Sequence, residues 1–400
     1  MGPVAPLSFI VCAALMGLIV TTIAMAGSRV ALTGGIYAYV EVAFGPYVGF
    51  LAGVLQWLTG LLAVSGVATA MLDQAGTLAP ALNTRPVRLL ALAAIFGTLA
   101  AVNARGVRAG TRVIEAVTAA KLVPLLLFVA VGVFFVNLEA LAWPGLPEPN
   151  AIGRSVLLLI FAYSGVEVAI APSGEVRNPA TTVPRAVFLA LGITTALYIA
   201  VQIVAQGVLG DTLSMYTAAP LAEAASRFLG GAGLTLMLLG AVCSMFGYLS
   251  GDMLSSPRSL YAIARDGFLP AVLARIDPVR RTPRTAIWTH AVLAVIFAST
   301  NTFQGLAIIS NVGLLVLYLL SCGAALELAR RDVRTDAAPF SMPGTWLWPV
   351  LGGVIVLWIL STATVRELAV TGIVLAVATA MYVAHRFQRR SHAHVPHPHS

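Results

Sequence analysis

Long apolar stretches separated by short polar linkers set the pattern of this chain. About 20 consecutive apolar residues span the ~30 Å hydrocarbon core of a bilayer as a helix. Eleven such stretches lie at approximately 6–26, 46–72, 87–103, 113–136, 153–172, 185–208, 232–254, 285–301, 304–328, 346–364 and 366–385. They are too long, and lack the alternation, to be strands of a membrane barrel. The pattern predicts an all-α polytopic membrane protein whose transmembrane domain covers residues 1–385.

The linkers refine this prediction. Very few residues separate segment 285–301 from segment 304–328, and segment 346–364 from segment 366–385. Each of these two pairs is therefore predicted to form a helical hairpin. Beyond the last segment, residues 386–400 are polar and carry alternating histidines, namely His392, His394, His397 and His399. A solvated cytoplasmic tail and a metal-binding tract are both compatible with this composition, and no metal site is assigned.

The composition excludes the water-soluble classes of protein. The 400 residues are 59% apolar and only 10% charged, with a mean hydropathy of +0.91, whereas a soluble domain carries roughly 25% charged residues. The net charge of +8 would suit nucleic acid, but the arginine groups at 105–112 and 280–284 lack interleaved aromatic residues. We therefore predict a lipid bilayer as the surroundings and no nucleic-acid partner.

Arginine is distributed unevenly over the linkers. If the linker after the first segment faces the inside and the sides then alternate, eighteen arginines lie inside and five outside. Positive linkers stay in the cytoplasm, so the sequence predicts a plasma-membrane protein with a cytoplasmic C-terminus. The excess of arginine over lysine, 23 to one, indicates a GC-rich bacterial genome and hence a bacterial inner membrane.

Three ionisable side chains lie within the apolar segments: Lys121, Glu167 and Asp252. Such a group at the bilayer centre costs at least a few kcal/mol, so we expect each either to join an ion pair between helices or to line a polar pathway. His290 is a lone histidine within another segment. We expect this imidazole to be packed and hydrogen-bonded.

The segment that contains Glu167 also carries helix-breaking residues. Gly165 weakens a helix, and Pro172 lacks a backbone donor. A broken helix at membrane depth is tolerated beside protein or a water-filled cavity, and in carriers such breaks present backbone groups to the substrate. The segment is therefore either an ordinary kinked helix or a place where the backbone contacts a substrate.

Catalytic and cofactor motifs are missing from the sequence. The chain has no His-Glu-x-x-His, Gly-x-Ser-x-Gly or phosphate-loop pattern, and its longest linker, about 255–284, is too short for an ATP-hydrolysing domain. Cys12, Cys243 and Cys322 all lie in apolar runs, which favours buried helix packing over a disulfide framework or a metal site. We predict neither an enzyme nor a bound cofactor.

Three stretches resemble the amino acid–polyamine–organocation permease family. They are residues 26–39 (AGSRVALTGGIYAY) with 44–46 (FGP), residues 161–167 (FAYSGVE) with 174–179 (GEVRNP) and 183–185 (VPR), and residues 256–270 (SPRSLYAIARDGFLP). They are similar to the family's link between its second and third helices, to its sixth helix and the following loop, and to the end of its eighth helix. Because they occur in the family's order and spacing, the resemblance covers nearly the whole chain.

The resemblance implies a fold and a function. Family members have twelve helices built around a five-plus-five inverted repeat, and they move amino acids or related amines by alternating access as proton symporters or exchangers. The eleven segments resemble helices two to twelve, so the family's Gly-rich first helix is expected ahead of Met1. The alternative is a truncated, non-transporting membrane protein, such as a remnant, a sensor or an assembly partner. The oligomeric state is not implied.

The resemblance also implies roles in substrate binding. Phe161 resembles the sixth-helix aromatic residue that covers the substrate, and the backbone of Ala162, Ser164 and Gly165 would hold the substrate amine. Gln56 occupies a third-helix position that faces the pocket in relatives. These residues form the predicted substrate site.

Three further positions concern charge. Asp252 occupies an eighth-helix position that is often aromatic in relatives, so an acid there would pair with a cationic substrate group or carry a proton. Glu167 matches the sixth-helix carboxylate that couples the site to gating. Lys121 resembles a fifth-helix lysine whose protonation is proposed to couple to transport. If the protein is a symporter and not an exchanger, protons are the second transported species.

Overall fold

The computed structural model describes residues 2–30, 36–105, 111–143, 145–165, 179–334, 339–340 and 342–392, without the side chains at 111–121, 179–184 and 387–392. These ranges form twelve α-helices and no strand. The helices are α1 (Ala5–Gly27), α2 (Ile36–Phe44), α3 (Pro46–Leu78), α4 (Arg85–Ala104), α5 (Thr111–Gly132), α6 (Pro149–Tyr163), α7 (Pro179–Leu209), α8 (Pro220–Arg265), α9 (Arg284–Thr300), α10 (Phe303–Arg330), α11 (Leu347–Ser361) and α12 (Val365–His392).

The helices confirm the predicted fold class. All except α2 coincide with the eleven predicted apolar segments, and seven of the described helices are long and apolar enough to cross a membrane. Six helices, namely α1, α3, α4, α6, α7 and α8, begin with proline in the first two positions, where its missing N–H leaves no helical hydrogen bond unmade. The two predicted hairpins, α9–α10 and α11–α12, have linkers of two and three residues.

Several boundaries differ from the prediction. The nine-residue helix α2 escaped notice because it is too short for a 20-residue apolar window, and Gly45, at φ 88°, turns the chain from it into α3. Helix α6 ends at Tyr163 rather than near 172, and residues 166–178 lie outside the described ranges. Helix α12 continues to His392, past the predicted start of the polar tail, and residues 393–400 are likewise outside the description.

Helix α8 is much longer than the predicted segment 232–254. It runs for 46 residues, and its backbone leaves the helical conformation at Gly230, where φ is 62° and ψ is −153°. Only glycine adopts such a conformation without strain. The predicted segment corresponds to the part of α8 after this kink.

Three groups of buried apolar residues hold the bundle together. The α1–α6–α10 cluster includes Leu15, Ile160 and Tyr318, and it also receives residues of α2, α3, α7 and α11. The α3–α8–α9 cluster also includes Leu92 and Phe96 of α4, and it receives Leu249 and Met253 from α8. The α5–α7–α8 cluster centres on Phe128. Helices α3 and α7 each contribute to two clusters, so they join these groups into one bundle.

The cysteines are free thiols, as predicted, but they do not all pack inside. Cys12 and Cys322 are buried in the α1–α6–α10 cluster, whereas Cys243 on α8 is exposed. The expectation of buried packing was wrong for Cys243 because Leu239 and Phe246, one turn away on the same face, are also exposed. This apolar face of α8 points out of the described bundle.

Ion pairs join helix ends that the arginine pattern places on the same side of the membrane. Arg154 at the start of α6 donates two hydrogen bonds of 2.6 Å to Glu367 at the start of α12. Arg29 after α1 lies 3.7 Å from Asp332 after α10. Both contacts agree with helices that cross the membrane in alternating directions. Which side faces the cytoplasm stays a prediction.

The loop between α8 and α9 sets the entry of α9. Backbone N–H groups of Val279 and Arg280 donate to the Asp277 carboxylate at 3.0 and 2.9 Å. The hydrogen bond from Arg280, with a further contribution from Val279, holds the pKa of the Asp277 carboxyl below its usual range. The Thr282 hydroxyl then donates to the carbonyl of Ala104 at 3.0 Å, which ties the start of α9 to the end of α4.

Candidate functional site

The C-terminal end of α6 is the first polar region of the helical bundle. Ser164 leaves the helix with ψ 146°, and Gly165 follows with φ 102°, a conformation that favours glycine. The 15 residues of α6 extend about 22 Å at 1.5 Å per residue, which is short of the ~30 Å hydrocarbon core. The helix therefore ends at two of the predicted site residues and presents its last carbonyl groups there.

Two of these carbonyl groups already have one hydrogen-bond donor. The Ser164 hydroxyl donates to the carbonyl of Phe161 at 2.9 Å, and the Tyr198 hydroxyl of α7 donates to that of Ala162 at 3.0 Å. Each carbonyl oxygen has a second lone pair, and the C-terminal end of a helix carries partial negative charge. Ala162, Ser164 and Gly165 are exposed, so this end of α6 is suited to receiving an ammonium group.

Side chains from neighbouring helices hold α6 in place. The Asn311 amide of α10, 1% exposed, donates to the carbonyls of Leu157 at 2.7 Å and Leu158 at 3.3 Å. The Tyr163 hydroxyl contacts Thr195 of α7 at 3.2 Å. The sequence did not indicate these contacts, because all three residues are uncharged and Asn311 and Thr195 lie outside the family motifs.

Phe161 connects the end of α6 to a second region. Its ring makes an edge-to-face contact with Phe303, with centroids 5.4 Å apart, and it packs on the α3–α8–α9 cluster beside which Trp57 also packs. Gln56 precedes Trp57 on α3, and its buried Oε1 has no hydrogen-bond partner among the described residues. An unpaired buried acceptor costs about 1–3 kcal/mol, so Gln56 offers an acceptor for a ligand or a water molecule.

The second region, which we call the Asp252 junction, comprises Trp57 and Gly60 of α3, Asp252 and Ser256 of α8, and His290 of α9. His290 Nε2 lies 3.0 Å from Asp252 Oδ2, and the Ser256 hydroxyl donates to Asp252 Oδ1 at 2.6 Å. Trp57 Nε1 donates to His290 Nδ1 at 3.3 Å. The side chains of His290 and Asp252 are 0% and 7% exposed. His290 is packed and hydrogen-bonded, as expected.

Gly60 allows α3 to approach α8 at this junction. A Cβ atom at this position would lie 3.0 Å from Ser256 Oγ and 3.5 Å from Asp252 Oδ1. The first of these distances is tighter than ordinary van der Waals contact. The absence of a side chain at Gly60 therefore leaves room for the Asp252 carboxylate between the two helices.

The two remaining predicted residues cannot be placed in these regions. Glu167 lies outside the described residues, and the side chain of Lys121 on α5 is not described. The structure thus places Phe161 and Trp57 against one cluster, next to the Asp252 junction. The sequence did not indicate the hydrogen bonds made by Trp57, Ser256 and Tyr198, because nothing in it shows which helices become neighbours.

The family of the chain follows from comparison with known proteins. A family model described as "Amino acid permease" matches residues 1–385. The chain belongs to this amino acid permease family. The match covers the predicted transmembrane domain and confirms the resemblance to the amino acid–polyamine–organocation family. The permease is therefore a multi-pass membrane transporter, and not an enzyme.

Curated relatives of the permease are transporters of several kinds. It is 27% identical over 380 residues to a methylthioribose transporter of Bacillus subtilis, covering 89% of this chain and 80% of the relative. It is 25% identical to the branched-chain amino acid permease BcaP of Lactococcus lactis, with coverage of 97% and 88%. It is 28% identical to the serine/threonine exchanger SteT of Bacillus subtilis, with coverage of 82% and 76%.

Proposed function

We propose that the permease moves amino acids or related amines by alternating access, as a proton-coupled symporter or an exchanger. Its place is the bacterial inner membrane, with the C-terminus in the cytoplasm. The observation that supports this proposal most is the end of α6 at Ser164 and Gly165. A helix that stops within an apolar segment supplies carbonyl groups without a charged side chain, which suits a substrate that must be released again.

The groups at the site favour a substrate rich in hydrogen-bond donors. The carbonyl oxygens of Phe161 and Ala162 and the unpaired Oε1 of Gln56 are all acceptors. We propose that the backbone at Ala162, Ser164 and Gly165 holds the substrate ammonium group while the Phe161 ring covers it. Two of the named relatives carry amino acids, which agrees with this chemistry.

Lys121 and Glu167 are proposed to couple the site to protons and gating. Neutralising Lys121 with Lys121→Ala should abolish the dependence of uptake on pH, or hold the permease in one facing state. Full pH-dependent uptake by this variant would contradict the role. Glu167→Gln provides the corresponding test for the gating carboxylate.

Counterflow in proteoliposomes tests the substrate class. Proteoliposomes that contain the purified permease are loaded with unlabelled branched-chain amino acids, serine, threonine, arginine, putrescine or methylthioribose. Entry of the same compound in labelled form is then measured. We expect saturable entry of at least one amino acid or amine, and strongly reduced entry in Phe161→Ala. Phe268→Ala, which removes an aromatic ring that packs on Phe50 in the loop after α8, is the control. Entry of methylthioribose alone would overturn the proposed substrate class.

A further inference from the structure

The hydrogen bonds of the Asp252 junction determine which nitrogen of His290 carries hydrogen. The indole N–H of Trp57 is a donor only, so the Nδ1 atom that it contacts at 3.3 Å accepts. In a neutral imidazole the other nitrogen then carries the hydrogen. Nε2–H therefore donates to Asp252 Oδ2 at 3.0 Å, and the Asp252 carboxylate accepts from both His290 and Ser256.

The same contacts decide where an additional proton can bind. A proton on His290 Nδ1 would place two N–H donors, those of Trp57 and His290, against each other. A proton on Asp252 Oδ1 would instead donate to Ser256 Oγ, because a hydroxyl group can change from donor to acceptor by rotation. The bond from His290 Nε2 to Oδ2 remains in both states. Only the carboxylate can gain and lose a proton without losing a hydrogen bond.

The described part of the chain places no lysine or arginine side chain against the Asp252 carboxylate, since none lies within 4.0 Å of it. The helices packed against this part of α8 carry their described charged groups near their ends. These groups are Asp73 on α3, Arg85 and Arg88 on α4, Arg105 just after α4, Arg185 near the start of α7, and Arg284 on α9. On α8 itself, Tyr248 and Arg258 are nearest in sequence, and α5 carries Lys121 and Glu115, whose side chains are not described.

We propose that Asp252 is a proton-binding group of this permease in addition to the coupling residue Lys121, and that His290, whose Nδ1 accepts from Trp57, positions its carboxylate. This inference rests on the proposed transport function. The carboxylate takes a proton on Oδ1 from water on one side of the membrane and releases it on the other. Both oxygens already have protein partners, so a substrate ammonium group would have to displace Ser256 or His290 to pair with Asp252. Proton binding therefore fits the geometry better than substrate binding.

An infrared titration of the purified permease tests the proton site without any substrate. On acidification the C=O band of protonated carboxyl groups grows, and we expect one component of it to be absent from Asp252→Asn. This component should be retained in Asp73→Asn, which alters an acid paired with Arg88 at the outer end of α3. Trp57→Phe removes the N–H that faces Nδ1, so the proton should move to His290 and an imidazolium signal should replace part of the band. An unchanged band in Asp252→Asn, or no imidazolium signal in Trp57→Phe, would overturn the proposal.

Transport assays then connect the site to coupling. A pH gradient of about one unit drives about tenfold accumulation of a neutral substrate that moves with one proton. We expect Asp252→Asn to lose this accumulation and Asp73→Asn to keep it. Ser256→Ala should shift the pH at which accumulation is half-maximal. Acid-driven accumulation by Asp252→Asn at the wild-type level would refute the role of Asp252. Absence of any amino acid or amine counterflow in the wild type would refute the proposed function, whereas the infrared titration would still decide the proton site.

Discussion

The end of α6 and the Asp252 junction are both polar places inside an apolar bundle, but their polar atoms differ in kind. At α6 the acceptors are the backbone carbonyls of Phe161 and Ala162, each with one hydroxyl donor. At the junction the acceptor is the Asp252 carboxylate, with an imidazole on one oxygen and a hydroxyl on the other. Carbonyl groups keep their partial charge at every pH, whereas a carboxylate can change its charge.

The difference indicates a division of labour between the two regions. A fixed partial charge suits the repeated binding and release of a cationic group, because it needs no proton transfer. A titratable group suits coupling to a proton gradient. Phe161, which lies at the end of α6 and packs on the α3–α8–α9 cluster, offers a physical connection between them. Variants on either side should therefore differ in how their effects depend on pH.

The largest effect is expected at the close approach of α3 and α8. Gly60→Leu would place side-chain atoms where Ser256 and Asp252 now lie, and overpacking of this kind destabilises by about 1–3 kcal/mol. Thermal unfolding in detergent measures this loss, and pH-dependent uptake should fall with it. Gly53 on the same helix has open space around an added Cβ, so Gly53→Leu is the matched control. Equal losses in both variants would show that the junction is not tightly packed.

A smaller effect is expected from the support of α6. Asn311→Ala removes the amide that fixes the carbonyls of Leu157 and Leu158, and lost hydrogen bonds of this type cost about 0.5–1.5 kcal/mol each. Substrate affinity should weaken by the same factor at every pH, as measured by uptake over a range of pH values. Ser310→Ala, which removes a bond to Thr59 of α3 instead, is the control. A shift in the pH midpoint of uptake in Asn311→Ala would contradict the proposed division of roles between the end of α6 and the Asp252 junction.

The smallest effect is expected at Tyr198. Tyr198→Phe deletes the donor to the carbonyl of Ala162, and one neutral hydrogen bond is worth about 0.5–1.5 kcal/mol, up to about tenfold in KM. KM should rise because the carbonyl is held less firmly, with little change in thermal stability. Tyr163→Phe removes a neighbouring hydroxyl that contacts Thr195 and should leave KM nearly unchanged. Equal changes in KM for the two variants would exclude a specific role for the Ala162 carbonyl.

Much of the fold could be predicted from residue types alone. Eleven helices lie where the apolar segments are, and the end of α6 falls at Gly165, one of the residues expected to weaken it. The kink at Gly230 and the helix α2 were not predicted. Glycine tolerates many conformations, so a glycine within an apolar run does not reveal whether the helix bends there, and nine residues are too few for an apolar window to detect.

The candidate site shows the same limit more clearly. The sequence identified Asp252 as an unusual acid and His290 as a lone interior histidine, but they are 38 positions apart on different helices. Nor did it indicate that Trp57 would reach the far side of the same imidazole. Contacts between helices depend on rotation and crossing geometry, which similar apolar faces leave open.

Hydrophobicity by itself therefore determined that this chain spans a membrane as helices, because about 20 apolar residues have no other stable arrangement in lipid. Its motifs determined the family. Only the tertiary structure decided that α3, α8 and α9 meet around Asp252, and that His290 faces this acid with Nε2 while Nδ1 faces Trp57. Charge and hydrogen bonding act over a few ångströms, so their chemistry is set by which helices become neighbours and not by order along the chain.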